Sequence, residues 1–135
     1  MMSDQAIDVG RGDRANYLPA PEYFLLNQAC LAVHSGLGGF GCYLVGSSLV
    51  RRDYRDVDVR YILDDERFDA LFPGAAGQPQ LNALWSLMCS SIALLLKQQT
   101  GLPIDFQIQR QTDANAKFSG PRSALGIFLG YPGGG

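Results

Sequence analysis

Asp56 and Asp58 stand two residues apart in the run DVDVRYIL (56–63), and Asp105 sits in a second alternating run, IDFQIQ (104–109). In an extended strand, residues at i and i+2 project from the same face, so Asp56 and Asp58 share one side. If the second strand lies alongside, Asp105 joins them and three carboxylates converge. Two unit charges about 5 Å apart repel by roughly 3 kcal/mol at an effective dielectric near 20. Left alone, such a cluster takes up a proton or splays apart. A divalent cation resolves the conflict. Carboxylate oxygens are hard ligands, and Mg²⁺ takes one or two of them together with waters and substrate phosphates. A solvated strand face is the plain alternative, but Asp is depleted in strands, and two in one short strand run against that propensity.

A second group precedes the first carboxylate. Val45-Gly46-Ser47-Ser48 follows the short apolar run FGCYLV (40–45). Glycine there lets the backbone approach a ligand closely. The turn is expected to open a short helix through Ser48, Leu49, Val50 and Arg51, whose first N–H groups favour an anion. Ser47 and Ser48 add hydroxyl donors, and Arg51, Arg52 and Arg55 add positive charge, with Arg52 and Arg55 the better phosphate candidates. A phosphate cradle beside a metal-binding cluster is the layout for handling a nucleoside triphosphate.

The elements that must position these groups are legible in outline. A helix is expected from about Pro21 to Ser35, stopped by Gly36, Gly38 and Gly39. Strands follow at 40–45 and 56–63, the second with Val57, Val59, Tyr61 and Leu63 on one face and Asp56, Asp58 and Arg60 on the other. Asp64-Asp65-Glu66 caps a short helix through Phe72, and residues 73–79 form a Gly/Pro-rich loop. The stretch from Gln80 to Thr100 reads as a helix roughly 30 Å long, apolar over more than one face and so expected to be buried at the centre. Strand 104–109 comes next, then a polar loop at 111–117, a short packed piece at 123–129 and a disordered Gly133–Gly135. Strands with one apolar and one polar face predict a sheet covered on one side only, an α+β, two-layer arrangement with a small mixed sheet. The organisation reads as a flexible leader (1–18), a core (19–110) and a partly ordered C-terminal extension (111–135).

Composition narrows the function classes. The 135 residues carry 11 Lys plus Arg against 13 Asp plus Glu, a formal charge of -2. A duplex-wrapping protein needs a broad basic surface, which this balance argues against. Cys30, Cys42 and Cys89 are far apart with no CxxC or Cys/His cluster, so neither a disulfide framework nor a zinc site is expected. A reducing, cytoplasmic setting follows. The first twenty residues hold Asp4, Asp8, Arg11, Asp13 and Arg14 and no apolar stretch of a secretory signal, and no segment is apolar enough to span a membrane. His34, the only histidine, lies near a helix end and is assigned no chemistry.

Val45-Gly46-Ser47, a spacer, then Asp56-Val57-Asp58-Val59 resembles the signature of the polymerase-beta-like nucleotidyltransferase superfamily, and Ile104-Asp105-Phe106 resembles its third-carboxylate strand. The resemblance covers roughly residues 21–110, nearly the whole catalytic unit of the small, minimal members. The spacer Ser48–Arg55 has eight residues, slightly fewer than is usual there. The resemblance implies a nucleotidyltransferase-like fold with an open active-site face. It implies two Mg²⁺ ions (Mn²⁺ being possible) held by Asp56, Asp58 and Asp105, and ATP or another NTP as donor. Gly46, Ser47, Ser48, Arg52 and Arg55 would hold phosphates, and Asp105 would orient an acceptor hydroxyl. The acceptor is left open among a protein, a nucleic-acid end and a small molecule, with a second copy or a partner chain supplying part of its surface. A catalytically inactive member that binds a nucleotide or a partner protein is the alternative.

Overall fold

The computed structural model describes residues 16–50, 52–117, 120 and 122–126. Most of the expected leader, Arg51, and the expected disordered Gly133–Gly135 lie outside these residues. The chain runs α1 (Ala20–Leu37), β1 (Gly41–Val45), α2 (Ser47–Val50), β2 (Val57–Leu63), α3 (Asp65–Leu71), a 3-10 turn (Pro79–Leu81), α4 (Ala83–Thr100), β3 (Ile104–Arg110), α5 (Gln111–Lys117) and β4 (Ser123–Leu125). Among the described residues the sheet has four strands in the order β3-β2-β1-β4. β1 is antiparallel to both β2 and β4, whereas β2 and β3 are parallel, so the sheet is mixed and the architecture is two-layer α+β.

Alternation in β2 and β3 does what the pattern demands. Val57, Val59, Tyr61 and Leu63 join Ile104, Phe106 and Ile108 in one core with Cys42 and Leu44 of β1. α1 contributes Leu26, Ala29, Cys30 and Val33, and α4 contributes Trp85, Cys89 and Leu96. Pro21 sits in the first turn of α1, and Asp64 caps α3 by accepting from the Arg67 N–H. No helix among the described residues is long and apolar enough to cross a membrane.

α4 departs from the expectation of a central, fully buried helix. Asn82 caps it by accepting from the Trp85 N–H, which separates it from the 3-10 turn. Leu84, Leu87, Leu94 and Leu95 are exposed, and Met88 is only partly buried. In two layers a helix has one sheet to face, so only one stripe of α4 finds a partner. Its inner stripe also protects the free edge of β3. The Trp85 indole N–H donates to the Ile108 carbonyl at 2.8 Å, and the Ile108 N–H donates to Cys89 Sγ at 3.4 Å. Those bonds occupy backbone groups that an edge strand would otherwise offer to another chain.

The C-terminal residues are more integral than an extension. Residues 111–117, read as loop, form α5. Its first turn is capped from another element: Asp65 accepts the Thr112 N–H at 3.0 Å and also the Thr112 hydroxyl. Ala114 is fully buried, and α5 contacts both β2 and β3. No local pattern announces a helix whose cap lies 47 residues away in sequence. Residues 123–125 add β4 at the far edge, where the Gly126 N–H donates to the buried Asn27 Oδ1 at 2.8 Å. Gly126 has φ 74, and a Cβ there would come within 3.0 Å of the Cys30 backbone, so α1 and β4 meet only across a glycine. At the other end, Leu18 is buried in the core and the Tyr17 N–H donates to the Ser48 carbonyl at 2.8 Å, so the end of the expected leader is packed.

Candidate active site

Register brings the carboxylates together. Asp58 of β2 pairs directly with Asp105 of β3, and on its other side with Val45 of β1, the residue before Gly46. Directly opposed residues share a face of the sheet, so Asp58 and Asp105 project side by side. Asp56 precedes the first residue of β2, where the pleat no longer fixes its direction, and it is exposed. The expected convergence of three carboxylates is therefore a close pair with a third nearby. Among the described residues, no three His, Cys, Asp or Glu side chains are gathered so as to hold a metal ion.

Burial raises the Asp58 carboxyl above the ordinary range. Arg60 opposes the rise, and the charges of Asp105 and Asp56, with a hydrogen bond between the Asp58 and Asp105 side chains, add to it. Arg60, two residues beyond Asp58 on the same face, is the group that keeps this pair tolerable. Its Nη2 lies 3.7 Å from Asp58 Oδ1 and 3.5 Å from Asp105 Oδ2. Its Nη1 donates to the Asp105 carbonyl at 2.7 Å and to the Val59 carbonyl at 3.1 Å. Alternation along β2 puts Arg60 on the carboxylate face, and it is the ion-pair partner of both acids. It is 7% exposed and bridges the two carboxylates, with its Nε buried and unbonded.

The Gly46 turn is shaped by the same carboxylate. Gly46 has φ 80, and a Cβ added there would lie 2.2 Å from Asp58 Oδ2. Both the left-handed backbone and the approach of the acid require a residue without a side chain. A pocket of about 190 Å³ opens here, lined by Ser47, Asp53, Tyr54, Arg55, Asp56 and Asp58. Ser47 and Arg55 thus stand beside two of the acids. Two expected phosphate ligands do not. Ser48 is fully buried, its hydroxyl without a hydrogen-bond partner, because the second residue of this short helix turns inward. Arg52 is exposed and is not part of the pocket wall.

Among the described residues the carboxylates of the polar face are more exposed than the residues at its other end. Ile62 and Gln109 lie on the same face as Asp58 and Asp105, yet both are buried, at the end where α5 meets β2 and β3. A strand pattern records which face is polar but not what later folds across it.

The donor chemistry at the carboxylate end, the hard carboxylate oxygens of Asp58 and Asp105 side by side, fits a hard divalent cation such as Mg²⁺, which asks for one or two carboxylates. Arg60 supplies the compensating charge from the protein itself. No protein-family model, curated protein or solved structure matches this chain.

Proposed function

We propose that the protein is a nucleotidyltransferase of the polymerase-beta-like kind, moving a nucleoside monophosphate from an NTP such as ATP to an acceptor hydroxyl and releasing pyrophosphate. The observation that carries this reading is the direct pairing of Asp58 with Asp105, beside a Gly46 turn that only glycine can make against Asp58. An anion-handling turn and a cation-seeking acid pair within one small site are what phosphoryl transfer needs, since its catalysis is positioning and charge stabilisation.

In this reading the Gly46–Ser47 backbone and the Ser47 hydroxyl receive phosphate oxygens, and Arg55 adds positive charge at the pocket wall. Asp58 and Asp105, with Asp56 nearby, would hold Mg²⁺ (or Mn²⁺), which supplies neutralisation of the triphosphate and of the charge developing on it. Asp105, on the edge strand and half-exposed, is the acid with room beside it for an acceptor hydroxyl, which it would orient and whose proton it would accept. The buried free thiols Cys30, Cys42 and Cys89 suit a reducing, cytoplasmic setting.

The second reading, a nucleotide-binding or partner-binding member without turnover, is favoured by Arg60. A guanidinium already bridging Asp58 and Asp105 stands in competition with a metal ion. Calorimetry of each NTP with and without Mg²⁺, followed by a pyrophosphate-release assay, separates the two. Mg²⁺-dependent binding with release supports transfer; binding without release supports a nucleotide-binding member without turnover; no NTP binding ends both of these and leaves only the partner-binding form.

A further inference from the structure

The free edge of β3 carries a second pocket, of about 240 Å³, away from the Gly46 turn. Phe68, Pro79 and Trp85 give it apolar wall, and Gln109 and α5, through Asp113, Ala116 and Lys117, give it a polar one. This volume suits one ring system, below the roughly 300–1,000 Å³ of pockets that enclose drug-sized ligands.

Gln109 distinguishes this pocket from an ordinary surface dent. It is 8% exposed, and its Oε1 is buried with no hydrogen-bond partner. A buried amide oxygen without a donor opposes folding, and a leucine of similar shape would not. Stability gives no reason for glutamine here, whereas a donor on a bound molecule would satisfy that oxygen. A side-chain amide presents one acceptor and one donor in a plane, the complement of a donor and acceptor side by side on a flat ring. That is how Gln pairs with the edge of adenine.

The position of the pocket ties it to the carboxylates. Asp105, Gln107 and Gln109 alternate along one face of β3, and both glutamines line the pocket. Asp105 and Gln109 are about 13 Å apart at the rise of a strand. We infer that this pocket binds a nucleobase, recognised by the Gln109 amide and packed against the Trp85 side. Resting on the transferase reading, the base is that of the nucleotide whose phosphates sit at Asp58 and Gly46, laid along the Asp105–Gln107–Gln109 row.

Trp85 is the only tryptophan in the chain, so its fluorescence reports on this pocket without labelling. The test titrates the full chain with adenosine, cytidine, guanosine and uridine, which carry no phosphate and so bypass the acid site. At least one should change Trp85 emission saturably. Gln109→Leu and Ala116→Phe, the second filling the pocket from an exposed helical position, should each weaken that nucleoside about tenfold or more. Gln109→Leu should unfold at the same temperature as the unmodified chain or higher. The inference falls if no nucleoside gives a saturable change, or if both variants bind like the unmodified chain. Pyrophosphate release measured alongside separates the two ideas: nucleoside binding without any NTP turnover sinks the transferase reading and leaves the pocket standing, whereas turnover without nucleoside binding sinks the pocket alone.

Discussion

The two ends of one sheet face are built on opposite terms. At the end with Ile62 and Gln109, α5 crosses β2 and β3, Ala114 is fully buried, and Arg110 clamps α3 through two bonds of 3.0 Å to Asp69. At the other end, two residues upstream of Arg60, two carboxylates are packed side by side and left within reach of water. Apart from the buried, unpartnered Gln109 oxygen, the first arrangement is what stability selects. The second holds like charges together at a cost that Arg60 only partly offsets, an arrangement of the kind that clusters at functional sites.

The sharpest way to break this contrast is Asp58→Asn. Pyrophosphate release should fall by roughly 100- to 1,000-fold, the scale of losing one preorganised electrostatic partner, while circular dichroism stays that of the unmodified chain. Turnover at the ordinary rate in that variant would remove Asp58 from the chemistry. Gly46→Ala comes next, because it forces a Cβ into the Asp58 carboxylate from a backbone at φ 80. It should cost about 1–3 kcal/mol in urea unfolding and abolish nucleotide binding by calorimetry.

Arg60→Met leaves the acid pair uncompensated. A fully buried pair broken on one side costs about 3–5 kcal/mol, but Asp105 is half-exposed and screened by water, so about 1–2 kcal/mol is expected here. Mg²⁺ should restore part of that loss in thermal melts; a melt unchanged by Mg²⁺ would argue against a cation site between Asp58 and Asp105.

A pH series sharpens the same point. The Asp58 carboxyl titrates higher in the folded chain than in the unfolded one. In the window between those two values the folded state binds more protons, so stability falls as pH rises through it. Comparing melts of Asp58→Asn with the unmodified chain across the acid range should show that this component is gone in the variant. The smallest effect belongs to the roofed end. Asp65→Ala removes the cap on α5 and should cost about 0.5–2 kcal/mol. It should weaken nucleoside binding at the pocket that α5 lines, with binding of inorganic triphosphate at the Gly46 turn retained; loss of triphosphate binding would mean that the two ends are coupled.

Much of this site is legible in the sequence. The alternation in 56–63 and 104–109 locates the faces of β2 and β3, and Gly46 after an apolar run marks a turn where the backbone can come close to a ligand; its positive φ and the approach of Asp58 are seen only in the fold. Two things are not legible there. The direction of the Ser48 side chain in a four-residue helix depends on what the turn packs against. The burial of Gln109 depends on a later helix that nothing local in 104–109 announces. Alternation alone puts Arg60 on the face of Asp58, while its bridge to Asp105 needs the register of two strands.

Local chemistry, then, is sufficient to specify strands, caps and the glycine turn, since each depends on neighbours a few residues away and on backbone preferences that any chain obeys. Register, burial and charge compensation are not local. The pairing of Asp58 with Asp105, the bridging Arg60 and the roof of α5 each join residues distant along the chain, and they exist only once the core has closed and selected one mutual arrangement of its layers.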